Sequence, residues 1–242
     1  MKLKSLPIAA ALILAAEASI AGTYVQLPTT PQVPVGIVLS SNNQANDQLF
    51  IPASSLTLTL LDSMTTPVFY GATQVGSFLD AVYRDPTDGM LVFGGRLALT
   101  TFNAETNDMF RSGFTGFSAA AAWSPGSPAG RKPTFVARTA TGLKQGALVF
   151  SPDVVDFRTD INPSELNPNS GLYLIKTDAD SFKIATGAIR LRQGGEEGQP
   201  VTQAILAGFV PTTAPVPEPG TWMLLVAGLG LVAAIGRKRL RG

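Results

Sequence analysis

The amino-acid sequence predicts an all-β protein: an antiparallel β-sandwich or jelly-roll ectodomain with an N-terminal signal peptide and a single C-terminal transmembrane helix. Two observations predict the sheets. Short segments alternate between apolar and polar residues, strictly at residues 56–60 and over most of residues 187–192. Between such segments lie runs rich in glycine and proline, which leave no room for an amphipathic helix of about 12 residues.

Further strands are expected at segments that combine β-branched or aromatic residues with flanking turn signals. These segments are residues 35–39, 76–83, 90–99, 134–139, 147–150, 154–159 and 171–175. Residues 85–89 read Asp-Pro-Thr-Asp-Gly and are typical of a tight hairpin, whereas residues 124–130 and 162–171 predict irregular loops. The alanine-rich residues 118–122 fit either a short helix or a strand packed close to another backbone.

The composition excludes several classes of enzyme. Among the 242 residues there is no histidine and no cysteine. Disulfides, thiol nucleophiles, His/Cys zinc sites, haem ligation and histidine-based triads are therefore excluded. The charged fraction of 14% is low beside a hydrophobic fraction of 45%, which indicates that part of the chain meets lipid.

The N-terminus has the order of features found in secretory signals. Two lysines precede the apolar run at residues 6–16, and Ser19 and Ala21 place small side chains at the third and first positions before Gly22. We expect cleavage between Ala21 and Gly22, with Ala18 as the second choice. The domain that follows is then delivered outside the cytoplasm.

The C-terminus predicts a membrane anchor. Residues 222–236 carry no charge and are bordered by Trp222 and Gly236. As a helix they span roughly 22 Å, so they cross a core of about 30 Å only where the bilayer thins. A basic cluster follows, and by the positive-inside rule it stays in the cytoplasm and holds the helix in the inner membrane. The cluster consists of Arg237, Lys238, Arg239 and Arg241.

Three features in order at this end carry a family resemblance. Pro217, Glu218 and Pro219 precede the short apolar helix, which contains Gly228 and Gly230, and the basic cluster ends the sequence. This arrangement resembles the PEP-CTERM sorting signal of Gram-negative bacteria. The resemblance implies processing near the motif by an exosortase, and release to the surface or extracellular matrix of cells that commonly make exopolysaccharide. It covers the last 27 residues and implies nothing about the domain before them.

The predicted organisation has four parts. A signal peptide (1–21) precedes a β-rich extracytoplasmic domain (22–210), a Pro/Thr stalk (211–215) and the sorting segment (216–242). The two prolines of the motif disfavour helix, so we expect an extended backbone open to a processing enzyme. Residues 22–217 hold three more acids than bases, so a nucleic-acid partner is not expected.

One group of residues has partial calcium-loop spacing. Asp160, Asn162 and Ser164 place oxygens at alternate positions, and Asp178 and Asp180 repeat that spacing. The sixth and twelfth positions lack the glycine and the carboxylate of a helix-loop-helix calcium site. Capping of turns by the same side chains is the alternative. The expectation that no cofactor is bound is preferred to a bound calcium ion.

Two other constellations suggest carbohydrate chemistry. A pair of carboxylates can hydrolyse a glycan without histidine, but no pair stands out, and Glu196 and Glu197 lie in a glycine-rich turn. Trp123 or Tyr173 could stack on a sugar ring, although single aromatic residues in such a domain are more often core.

The function predicted from the sequence is an exported, noncatalytic surface or matrix protein associated with exopolysaccharide or a biofilm. The alternatives are a secreted carboxylate-dependent glycan hydrolase and an ice- or glycan-binding module. Regular threonine arrays of the ice-binding type are missing apart from Thr57 and Thr59.

Overall fold

The computed structural model describes residues 24–27, 37–38, 48–138, 144–145, 148–149, 154–194 and 201–213. Within them the chain forms β-strands and two single turns of 3-10 helix, Ala53–Ser55 and Pro163–Glu165. The prediction of an all-β fold is confirmed. No helix in the described ranges is long and apolar enough to cross a bilayer. The predicted signal peptide (1–21) and transmembrane helix (222–236) lie outside those ranges.

Sheet 1 has six strands in the order β1-β7-β12-β5-β4-β3, with antiparallel neighbours throughout. Its strands are β1 (Val25–Gln26), β3 (Thr59–Tyr70), β4 (Thr73–Arg84), β5 (Leu91–Leu99), β7 (Ala120–Ser124) and β12 (Leu172–Thr177).

Sheet 2 also has six antiparallel strands, in the order β14-β13-β6-β11-β8-β2. Its strands are β2 (Ile37–Val38), β6 (Thr106–Arg111), β8 (Phe135–Arg138), β11 (Val155–Ile161), β13 (Ser181–Gln193) and β14 (Thr202–Thr212). A separate pair is formed by β9 (Lys144–Gln145) and β10 (Leu148–Val149).

The main core lies between the two sheets. One continuous cluster of buried apolar side chains includes Phe93 and Tyr173 from sheet 1 and Phe157 and Phe209 from sheet 2. The rings of Phe157 and Tyr173 stack across the interface with centroids 5.1 Å apart. Aromatic pairs of this kind add to the free energy gained by burying their surface. Because the two sheets enclose one common core, the observed architecture is the predicted sandwich.

The outer face of sheet 1 has a second, smaller apolar cluster. Leu56 and Leu58 pack there with Val92 and Leu174. This arrangement corrects the prediction of a strand at residues 56–60, because β3 begins only at Thr59. Leu56 and Leu58 alternate with polar residues because their side chains pack on the outer face of sheet 1. The segment covers the sheet and is not one of its hydrogen-bonded strands.

Each of the other predicted strands overlaps an observed one. Residues 118–122 lead into a strand and not a helix, since β7 starts at Ala120. The predicted hairpin at residues 85–89 joins β4 to β5. Strand β6 has no counterpart in the sequence analysis. Nearly all its residues are buried on both faces, so no polar face alternates with an apolar one.

Both sheets carry proline in a strand at their edge. Pro67 lies in β3, the edge of sheet 1, and Pro211 lies in β14, the edge of sheet 2. Proline lacks an N–H, so it fits an edge strand where that group would face away from the neighbour. Because Pro211 is tolerated at the edge, strand β14 continues through Thr212. It ends two residues beyond residue 210, where the β-rich domain was expected to end.

A buried ion pair joins the two sheets. Asp80 on β4 and Arg111 on β6 approach to 2.5 Å between Oδ1 and Nη2, with side chains 2% and 6% exposed. The backbone N–H of Phe209 on β14 donates to Asp80 Oδ2 at 2.7 Å, and Arg111 Nη2 donates to the Phe209 carbonyl at 3.0 Å. We call this group the Asp80–Arg111 clamp.

A glycine makes room for the clamp. A Cβ atom on Gly208 would lie 2.8 Å from Asp80 Oδ2 and 2.5 Å from Ile189 Cδ1. Both distances are shorter than a carbon atom tolerates, so only glycine lets β14 come this close to the carboxylate.

Removing one partner of the clamp should destabilise the protein strongly. We expect Arg111→Met to lower the free energy of unfolding by about 3–5 kcal/mol, because it leaves the Asp80 carboxylate buried without its cation. Adding Asp80→Asn removes that charge and keeps an oxygen for the Phe209 N–H, so the double variant should recover part of the loss. Urea denaturation of the single and double variants measures this coupling, and additive losses would contradict it.

Candidate functional site

A cleft of about 580 Å³ opens on the outer face of sheet 1, at one end of the sheet. Its walls are β1, the last residues of β12, the β4–β5 hairpin and the covering segment at residues 51–58. The volume lies within the range of about 300–1,000 Å³ that is typical of small-molecule sites. We call it the Lys176 cleft after the lysine that lines it.

Lys176 is held between two carboxylates of the hairpin. Its Nζ lies 2.7 Å from Asp85 Oδ2 and 2.6 Å from Asp88 Oδ2. The side chains of Lys176 and Asp85 are 14% and 10% exposed, whereas that of Asp88 is 38% exposed. The three groups together carry one net negative charge.

The turn sequence sets these carboxylates in place. Asp85 Oδ1 accepts hydrogen bonds from the backbone N–H of Thr87 at 2.9 Å and from its hydroxyl at 2.5 Å. Asp88 Oδ1 accepts from the backbone N–H of Met90 at 3.0 Å. Gly89 has a φ of +76°, which glycine adopts readily. The hairpin therefore fixes both acids through its own backbone.

The Asp85–Lys176 ion pair keeps its charges over a wide pH range. Burial raises the pKa of Asp85, but hydrogen bonds from Lys176 and Thr87 outweigh it and the net pKa is lowered. Burial lowers the pKa of Lys176, and the bonds to Asp85 and Asp88 reverse that effect and raise it. Near neutral pH Lys176 is thus an ammonium and Asp85 a carboxylate.

Tyr24 forms another wall of the cleft. The Lys176 ammonium lies 5.1 Å from the centre of its ring, within the range of a cation–π contact. The Tyr24 hydroxyl is buried and has no hydrogen-bond partner among the described residues. Burial, followed by the charges of Asp85 and Asp88, raises the pKa of this hydroxyl. It therefore stays protonated and able to donate.

A second charged group lies on sheet 2. Arg158 Nε is 3.8 Å from Asp108 Oδ1 and 3.6 Å from Asp156 Oδ2, and Arg192 Nη1 is 3.4 Å from Asp108 Oδ2. Arg158 also lies over the ring of Phe135 at 4.8 Å. Both carboxylates are almost fully buried. Burial, and then repulsion from Asp108, raises the pKa of Asp156 well above its usual range despite the two arginines.

The residues with calcium-loop spacing have other contacts. Asn162 Oδ1 accepts from the Ser164 backbone N–H at 3.0 Å and from its hydroxyl at 2.6 Å, which caps the Pro163–Glu165 turn. Asp160 forms an ion pair with Arg131 at 3.2 Å. Capping, the alternative interpretation, describes what Asn162 does.

Asp178 and Asp180 follow β12 in the connection to β13, and Asp178 Oδ1 accepts from the Ser118 backbone N–H at 2.8 Å. Within the described part of the chain, no three acidic side chains lie close enough together to hold a metal ion. Glu196 and Glu197 fall outside it.

The suggestion that Trp123 or Tyr173 stacks on a sugar is wrong. Their side chains belong to the core, with 0% and 2% of the residue exposed. Trp123 packs against Phe50 with ring centroids 5.2 Å apart, and the Tyr173 hydroxyl bonds to Thr159 at 2.6 Å. The core interpretation of both aromatic residues is confirmed.

Sequence reasoning did not identify the Lys176 cleft. The sequence of residues 85–89 indicates only a turn role for Asp85 and Asp88. Tyr24 and Lys176 lie far apart in the sequence. One signal was present: Lys176 is a charged residue in an otherwise apolar strand segment, on the same face as Leu172 and Leu174.

Comparison with protein families matches residues 215–239 to the PEP-CTERM protein-sorting motif. The resemblance inferred from Pro217, Glu218 and Pro219 is confirmed. The residues of the sorting motif, the predicted membrane helix, the basic cluster and the predicted signal cleavage site lie outside the described residues. No curated protein and no solved structure matches the chain.

Replacing Asp156 should stabilise the protein at neutral pH. A carboxyl whose pKa is raised by folding destabilises the native state once the pH exceeds its unfolded pKa of about 3.9, and the penalty grows up to the folded pKa. We therefore expect Asp156→Asn to have a higher free energy of unfolding than wild type at pH 7, with a difference that vanishes below about pH 4.

The control is Asp160→Asn, which removes a partly exposed ion pair with Arg131 and should change stability by about 0–1 kcal/mol. Urea denaturation between pH 3 and 8 gives both curves. A lower stability of Asp156→Asn than of wild type at pH 7 would show that the charged carboxylate stabilises the fold.

Proposed function

We propose that this chain, an exported protein carrying a PEP-CTERM sorting signal, is a noncatalytic β-sandwich of the cell surface or extracellular matrix. The match of residues 215–239 to the sorting motif is the observation that carries the proposal. A signal peptide at residues 1–21 delivers the chain to the inner membrane, the helix at 222–236 anchors it there, and an exosortase-type enzyme removes the anchor. The sandwich is then retained in or shed into the exopolysaccharide matrix.

The position of the motif supports processing without unfolding. Strand β14 ends at Thr212, and Pro217 follows five residues later. An extended chain advances at most about 3.6 Å per residue, so the motif lies within roughly 18 Å of the end of the sheet. All described strands precede it, so cleavage there leaves both sheets whole.

The pairing of the carboxylates supports a noncatalytic role. A glycan hydrolase needs one acid to protonate the leaving oxygen and a second to act as nucleophile or base. In the Lys176 cleft both Asp85 and Asp88 contact the same ammonium, and the pKa of Asp85 is lowered. A carboxylate held in this way is a poor general acid near neutral pH.

Changing the motif should separate export from processing. We expect Glu218→Ala to leave export intact while blocking removal of the anchor, because the polar group between the two prolines is lost. The precursor should then accumulate in the inner membrane with residues 222–242 attached. Fractionation and mass spectrometry, in a host with exosortase and in one without it, measure both steps.

Glu165→Ala, in a turn of the sandwich, is the matched control and should be processed as wild type. If the wild-type protein keeps residues 222–242 equally in both hosts, processing at this motif is excluded and the helix is a permanent anchor.

A further inference from the structure

Tyr24, which lines the Lys176 cleft, carries a buried hydroxyl that has no hydrogen-bond partner among the described residues. Buried hydroxyls in folded proteins nearly always have a hydrogen-bond partner, and leaving one unpaired costs about 1–3 kcal/mol. A ligand in the cleft would supply the missing partner.

The charged groups keep unused hydrogen-bonding capacity of both kinds. An ammonium has three N–H donors, and the contacts with Asp85 and Asp88 use two of them. The Asp88 carboxylate accepts from Met90 and Lys176 and has lone pairs left for further donors. Its greater exposure leaves these lone pairs accessible. The site therefore offers donors and acceptors side by side.

Part of the cleft wall is apolar. Leu56, Leu58 and Met90 line it, and Met90 is 39% exposed. An occupant would need a polar edge for Lys176 and Asp88 and a surface of C–H groups for this wall.

We propose that the Lys176 cleft binds a sugar residue of a neutral polysaccharide. A hydroxyl group both donates and accepts, so neighbouring hydroxyls on a sugar ring can bond to Tyr24, Lys176 and Asp88 at once. The C–H groups of the ring pack against the apolar wall. An anionic sugar is repelled by the net negative charge of the site, and the ammonium of a cationic sugar would have to compete with Lys176 for Asp85 and Asp88. The inference rests on the proposed function in one respect: the extracytoplasmic location is what brings the protein into contact with a polysaccharide.

Binding of defined oligosaccharides to the purified protein tests this assignment. The probes are two neutral hexasaccharides of glucose, β-1,4-linked and α-1,4-linked, with an anionic hexagalacturonate and a cationic glucosamine hexamer for comparison. Isothermal titration calorimetry should show binding of at least one neutral probe. Tyr24→Phe should weaken it about fivefold, the loss expected for one hydrogen bond.

Tyr70→Phe is the matched control. Tyr70 lies outside the cleft, and its hydroxyl already bonds to Thr106 at 2.6 Å, so this variant should bind the probe as wild type does. Asp88→Asn, which changes a more exposed side chain, is a second variant and should also weaken binding. Circular dichroism shows that each variant is folded.

Three results would overturn the proposal: no binding of either neutral probe, equal affinity of wild type and Tyr24→Phe, or tighter binding of a charged hexamer than of the neutral ones. The measurement uses purified protein and does not depend on sorting. Loss of export with intact binding would refute the proposed location alone, and normal processing without binding would refute the cleft alone.

Discussion

The Asp80–Arg111 clamp is the interaction on which the arrangement of the two sheets depends. It joins β4 of sheet 1 to β6 and β14 of sheet 2. Against an apolar pair of equal volume, a buried ion pair contributes little net stability, so its value here lies in geometry. Asp80 and Arg111 satisfy both the N–H and the carbonyl of Phe209, which no strand satisfies on that side. They act as the missing strand partner of an edge residue.

The clamp also lies close in the sequence to the sorting segment. Phe209 lies three residues before the end of β14, and the match to the sorting motif begins three residues after that end. In the proposed pathway, force on the membrane anchor is transmitted to a strand that is fixed on one side by β13 and on the other by the clamp. The Lys176 cleft lies on the outer face of sheet 1, built from strands and turns that precede the sorting motif. In the proposed pathway, processing releases a sandwich whose binding surface is already complete.

How much of this could be predicted from the sequence depends on the kind of contact involved. Local signals were sufficient for the hairpin at residues 85–89 and for the sorting motif, because each is set by neighbouring residues. Alternation at residues 187–192 predicted part of β13. Alternation gave no signal for β6, which is buried on both faces. It also failed for Leu56 and Leu58, which cover a sheet without joining it. The clamp and the cleft were out of reach, because Asp80 meets Phe209, and Asp85 meets Lys176, only through the three-dimensional pairing of strands.

Hydrogen exchange at the Phe209 amide tests the role of the clamp most directly. An unpaired N–H on an edge strand exchanges by local fraying, with little protection. If Asp80 holds this amide as described, it should exchange only by global unfolding, at the same free energy as amides in the centre of β4. Native-state exchange followed by NMR measures this free energy. Exchange of the Phe209 amide at the rate of a frayed edge, while the amides of β4 stay protected, would contradict the account.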